Sequence, residues 1–96
     1  MKEEELISKA QKGESEAFGR LYDEHFPRIY RFIFIKVSRK QDAEDLSHQV
    51  FLSAWKNIRN YTHKGLPFSS WLYKIAHNAV IDFYRTKRVH IDIDDV

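Results

Sequence analysis

The side chains best equipped for chemistry in this chain are its histidines, its carboxylates and one run of cations. Five His occur, at 25, 48, 63, 77 and 90, each alone on its segment. A hydrolytic zinc site needs paired ligands such as HExxH plus a further set, and neither spacing is present. With no Cys, a thiolate metal site, a Cys nucleophile and a disulfide framework are all excluded. The cations offer different chemistry. From Tyr73 to His90, Lys74, Arg85, Lys87 and Arg88 face one acid, Asp82, while three Glu in KEEEL and three Asp in IDIDDV mark the two chain ends. A net charge of +2 is small, so the basic footprint is local.

Those cations belong to FSSWLYKIAHNAVIDFYRTKR, Phe68 to Arg88, which has helical periodicity. At about 100° per residue, Phe68, Trp71, Leu72, Ile75, Ala76, Ala79 and Phe83 form a wide core face. Opposite them run Lys74, Asn78 and Arg85, with His77, Ile81 and Arg88 beside them. Cations in a last turn suit the helix macrodipole, which accounts for Arg85, Lys87 and Arg88 without any ligand. It does not account for Lys74 and Asn78. Charge for phosphates, an amide for a base edge and the rings of the adjacent loop YTHKG (Tyr61, His63, with Lys64) are what a single-stranded nucleic-acid surface requires. Asp82 falls on the core side of this wheel and is expected as a buried or boundary acceptor.

Three earlier elements must hold this helix in place. Leu6, Ile7 and Ala10 share a face from Glu3 to Lys12, with Gly13 as the stop. Ser15 is placed to cap a second helix carrying Ala17, Phe18, Leu21, Tyr22 and Phe26; Pro27 is expected to kink or restart it before RIYRFIFIKV, which is apolar nearly all round. Ser38 with Gln41 fits a capping box that opens a third helix from about Lys40 to about Asn57. RNYTHKGLP is then a loop. Abundant aromatics, scarce Gly and Pro and no alternating pattern predict an all-α fold, a compact bundle of about four helices in one domain. MKEEELISK lacks an apolar signal core, and no apolar run is long enough to span a bilayer, so a soluble cytoplasmic chain without a membrane partner is expected.

On the third helix, Ala43, Leu46, Val50, Ala54 and Ile58 form an inward stripe flanked by Phe51 and Trp55. Asp45, His48, Gln49, Leu52 and Lys56 lie opposite. Two readings of that face stand: a solvated surface with one stray Leu, or a partner surface with Leu52 at its apolar centre and Asp45, His48 and Gln49 as its rim.

DAEDLSHQVFLSAWKNI followed by FSSWLYKIAHNAVIDFYRTKR resembles region two of bacterial extracytoplasmic-function sigma factors, and AFGRLYDEHFPRIYRFI resembles the segment before them. The resemblance covers residues from about Glu16 to about Arg88 and implies a bundle of the sigma region 2 type over 1–90. Residues 91–96 would begin an acidic linker to a second DNA-binding domain that this chain lacks. It also implies work for both surfaces. Asp45, His48, Gln49, Leu52 and Lys56 would dock on the clamp helices of the largest catalytic subunit of RNA polymerase core. Tyr61, His63, Lys64, Lys74, His77, Asn78, Arg85, Lys87 and Arg88 would hold the non-template strand of the promoter minus-ten element, with one base flipped into a loop pocket. An anti-sigma protein is a further partner that the resemblance allows. No cofactor and no covalent chemistry are implied, so the domain is expected not to be an enzyme. One departure concerns the polymerase face: many members have Gln-Glu where this chain has His48-Gln49, one negative charge fewer. A protein-binding helical adaptor, with the basic stripe merely solvated, is the alternative.

Overall fold

A computed structural model describes residues 1–94, with side chains through Thr86. Within it the chain forms α1 (Glu3–Gln11), α2 (Ser15–Val37), α3 (Lys40–Asn57), a 3-10 turn (Ile58–Asn60) and α4 (Phe68–Asp94), and no strand is found among the described residues. α2 is central and packs against all three other helices, while α3 also packs on α4 and α1 rests on the 3-10 turn. Leu21, Ile29 and Ile33 of α2, the α3 stripe Ala43, Leu46, Val50 and Ala54, then Ile58, and Leu72 and Ala76 of α4 make the core. Ala43, Ala54 and Ala76 are wholly buried, small enough to let the helices approach closely. The one buried hydroxyl among them, Ser47, donates to the Ala43 carbonyl at 2.6 Å, so it burdens the core with no unpaired group.

The turns depart from their expected form in instructive ways. α1 ends as the chain turns at Gly13, whose φ is +94°; the Gly13 N–H donates to the Ala10 carbonyl and the Glu14 N–H to the Lys9 carbonyl, so two carbonyls of the last turn are satisfied. Ser15 is the first helical residue of α2, not its cap, and makes no capping bond. Pro27 neither breaks nor restarts α2, which is continuous over 23 residues. Pro27 and Asp23, whose carbonyl loses its partner, both lie on the exposed side, where water can take that bond, and buried Leu21, His25, Ile29 and Ile33 hold both halves on the core. RIYRFIFIKV is not buried all round: Ile29, Ile33 and Val37 point inward, whereas Phe34 and Ile35 remain exposed. The capping box at Ser38 does not form either. Ser38 instead ends α2 in the left-handed conformation, φ +63°, with its N–H on the Phe34 carbonyl.

α4 begins at Phe68 as expected and continues past Arg88 to Asp94. Its buried line is Phe68, Leu72, Ala76 and Val80, an i+4 series that turns gradually around the helix; Trp71, Ile75, Ala79 and Phe83 are only half-buried. Asp82 is therefore exposed, not a core acceptor, and pairs at 3.6 Å with Arg85 on the same surface. Both side chains are more than two-thirds exposed, so that pair contributes little to stability. The Tyr84 hydroxyl donates to the Lys36 carbonyl and Phe32 meets Tyr73 edge-on, which ties the far end of α2 to α4.

Candidate functional site

The loop Tyr61–Pro67 rises between the 3-10 turn and the first turn of α4. Two depressions flank it. The one on the α4 side, about 370 Å³, is lined by Tyr61, Thr62, Lys64, Leu66, Trp71 and Lys74 among others. The one on the α1 side, about 320 Å³, is lined by Glu4, Ile7, Gln11, Tyr61 and His63. Both volumes fall in the range of small-ligand sites, about 300–1,000 Å³. Charge separates them. The α4 side offers two ammonium groups beside an indole and a phenol ring, whereas the α1 side presents the Glu4 carboxylate. Of the two, the α4 side has the cations and rings that a polyanion with stackable bases would need.

Aromatic packing holds the α4-side wall in place. Tyr61 meets Phe68 edge-on at 5.3 Å and Trp71 at 5.0 Å, and Phe68 lies 5.5 Å from Trp71. Burial, and secondarily the negative charge of Glu3, raise the Tyr61 hydroxyl pKa above its ordinary value. Tyr61 is thus a partly buried, neutral wall between the two depressions. Trp71, expected in the core, is half-buried and shares the pocket lining.

Of the residues predicted to hold nucleic acid, Tyr61, Lys64 and Lys74 come together here. His63 faces the α1 side. His77, Asn78 and Arg85 are exposed farther along α4, and Arg85 stands eleven residues, about 16 Å, beyond Lys74. Lys87 and Arg88 lie outside the residues whose side chains are described. The sequence reading missed Leu66, which is 62% exposed at the loop tip, along with Ser70 and the indole's share of the pocket. An apolar residue between Gly65 and Pro67, where no helical period explains it, was the available signal.

The outer face of α3 is also resolved into parts. Asp45, His48, Gln49, Leu52 and Lys56 are all exposed, with Leu52 at the crest, 54% exposed. His48 leans toward α2: its Nδ1 is 3.1 Å from the Tyr22 hydroxyl and its ring is 5.6 Å from Phe26. Burial, with a smaller push from Asp23, raises the Tyr22 pKa above its ordinary value, so the phenol remains a neutral partner for the imidazole. Gln49 leans the other way, into an α3–α4 groove of about 740 Å³ that Asn78 and Asp82 also line. The predicted protein face and the predicted nucleic-acid stripe therefore meet in one groove.

His25, which sequence reading left unassigned, is buried and hydrogen-bonded through Nε2 to Glu3 Oε2 at 2.7 Å. Among the described residues no group of three His, Asp or Glu is placed to hold a metal ion, and no helix is long and apolar enough to cross a membrane.

Comparison with known proteins gives one consistent set of relatives. The family described as Sigma-70 region 2 matches residues 21–89. The chain is similar to the ECF RNA polymerase sigma factor BldN of Streptomyces coelicolor, 42% identical over 89 residues, which cover 93% of this chain and 34% of that protein. It is also similar to the ECF sigma factor SigW of Bacillus subtilis, 32% identical over 88 residues, covering 92% of this chain and 46% of that protein. The chain thus spans less than half the length of either relative. Among solved structures, a chain of the RsbN–BldN complex superposes with a TM-score of 0.76 at 44% identity, covering 83% of this chain and 58% of that one. An engineered region 2 of sigmaE, solved in complex with GTAAAA, gives a TM-score of 0.82 over 91% of this chain and 90% of that one; at 23% identity it shows the shared fold.

Proposed function

The chain belongs to the sigma-70 region 2 family, of the extracytoplasmic-function type, and from that premise we propose that it binds RNA polymerase core and captures the non-template strand of a promoter minus-ten element. The observation that carries this reading is the α4-side loop pocket, where Lys64 and Lys74 stand beside Tyr61, Trp71 and the exposed Leu66. Two cations can neutralise adjacent phosphates while the rings and the leucine receive an unstacked base. Extruding a base from a duplex costs a few kcal/mol, and a preformed pocket offsets that cost only for a base that fits it, so recognition and strand opening become one event. None of these steps forms or breaks a covalent bond.

Asp45, Leu52 and Lys56 on the α3 crest, with His48 and Gln49 on its two slopes, are the proposed polymerase contacts. Lys74, His77, Asn78, Arg85, Lys87 and Arg88 are the proposed track for the strand beyond the pocket, with Tyr61, His63 and Lys64 at the loop. Residues 1–90 form the domain in this reading, although α4 itself runs on through Asp94, past the point where the sequence reading begins the linker, and the site of action is the cytoplasm, with polymerase. BldN has been solved in complex with RsbN, and a protein partner of this domain, of the anti-sigma kind, belongs to the same reading.

The test is a pull-down of bacterial RNA polymerase core with the chain, followed by single-stranded promoter binding in the assembled complex at several salt concentrations. Core should be retained. Lys64→Ala and Lys74→Ala should each weaken binding to all sequences alike and lower the logarithmic salt slope by about 0.7. An unchanged slope together with retained core would leave a helical adaptor whose lysines are only solvated.

A further inference from the structure

The first and last residues of α1 both reach the ends of the loop that forms the proposed DNA pocket. At the C-terminal end, Gln11 donates from Nε2 to the Ile58 carbonyl at 2.9 Å and to the Tyr61 carbonyl at 2.8 Å. At the N-terminal end, Glu3 holds His25, and the His25 ring meets Phe68, the first residue of α4, edge-on at 5.6 Å. Tyr61 and Phe68 in turn close the loop ring against ring. A primary carboxamide has two N–H donors on one nitrogen, and both are used here on carbonyls three residues apart. Ile58 is buried and its carbonyl also accepts from the Tyr61 N–H, so the 3-10 turn and the start of the loop are fixed as one unit. Neither carbonyl contact can be supplied by a side chain without donors.

We infer that Gln11 is a positioning residue for promoter recognition: by clamping the Ile58 and Tyr61 carbonyls it sets the Tyr61 wall of the α4-side pocket before DNA arrives. This rests on the reading of that pocket as the base site. A preorganised wall spares the strand the cost of ordering the loop, and that saving is realised only with a sequence that fills the pocket. Loosening the wall therefore lowers discrimination among sequences while leaving phosphate contacts alone. Gln11 lies outside the pocket on the α4 side and is not proposed to touch DNA.

The experiment compares wild type with Gln11→Leu, which keeps the bulk and removes both donors, and with Gln11→Glu, which sets a carboxylate against two carbonyls. Each chain is assembled with polymerase core and used to select from a pool of single-stranded DNA randomised over six positions. In parallel, amide hydrogen exchange is followed at residues 58–64 in the free protein. Wild type should enrich a defined set of sequences. Both variants should enrich that set about three- to tenfold less, the effect of losing one or two ordinary hydrogen bonds, with Gln11→Glu the worse, faster exchange at 58–64 and an unchanged salt slope. Undiminished enrichment overturns the inference, even with faster exchange. A wild type that retains core yet enriches no sequence sinks the underlying promoter reading instead, a distinct result because it appears before any variant is compared. Should either variant melt below the assay temperature, Gln11→Met, unbranched like glutamine and equally without donors, decides by the same readouts.

Discussion

Leu52 keeps 54% of its surface in water on a helix whose other large apolar side chains pack inward or against neighbouring rings. Solvent exposure alone is ordinary for a leucine. Its place at the crest between His48 and Gln49 is the reason for proposing it as the apolar centre of a docking surface. Replacing it with Glu removes little packing, and surface changes of this kind shift stability by under about 0.5 kcal/mol. Leu52→Glu should therefore melt with wild type and fail to retain polymerase core in a pull-down; a variant that still binds core would move the contact elsewhere. His48 also makes contacts within the chain: hydrogen-bonded to Tyr22 and close to Phe26, it closes the α2 slope with an aromatic neighbour.

At the level of elements, the turns rather than the helices carry the strain. Ser38 joins α2 to α3 with φ +63°, a conformation that places Cβ too near the backbone for most residues. Glycine is free of that penalty, though it loses more entropy on folding. Ser38→Gly should thus raise stability by about 0.5–1 kcal/mol, a melting shift of a few degrees for a domain of this size. Thermal unfolding followed by circular dichroism checks it; a lower melting temperature would mean that the serine hydroxyl supports the turn. Gly13 sits in the same backbone region, φ +94°, and a Cβ there would meet the Arg59 guanidinium at 3.6 Å, so the gap between α1 and the 3-10 turn is already in contact range.

Two tyrosines bear on the stability of the whole molecule at alkaline pH. Burial raises the hydroxyl pKa of both Tyr22 and Tyr61 above 10.0, with smaller contributions from Asp23 and Glu3 respectively. The folded state therefore keeps these protons to higher pH than the unfolded chain does. Their contribution is complete below the unfolded value and is lost as pH rises through the raised folded values. Denaturant midpoints measured from about pH 8 to about pH 11 should hold level and then fall. Tyr61→Phe should flatten part of that fall, and a variant with the same alkaline slope would assign it to other groups.

What the sequence determined by itself was whatever depends on neighbours along one helix. The α3 stripe from Ala43 to Ile58 and the exposed crest opposite it were legible because a 3.6-residue period sorts side chains locally. The family was legible too, because its motifs are contiguous. A single projection of α4 failed where the packing line winds. Phe68, Leu72, Ala76 and Val80 drift around the helix, which leaves Asp82 in water, against its projected place on the core side, and buries Val80, which the projection did not include in the core face. Only the tertiary structure decided the rest. It kept α2 whole through Pro27, because core contacts on both sides outweigh one missing backbone bond. It also gave Gln11 and His25 their partners: Gln11 reaches across 47 and 50 residues and His25 across 22, distances over which no local pattern constrains a hydrogen bond. The walls of the α4-side loop pocket all come from one stretch, Asn60 to Lys74, but only the folded structure turns the loop back onto the first turns of α4 and makes a pocket of it.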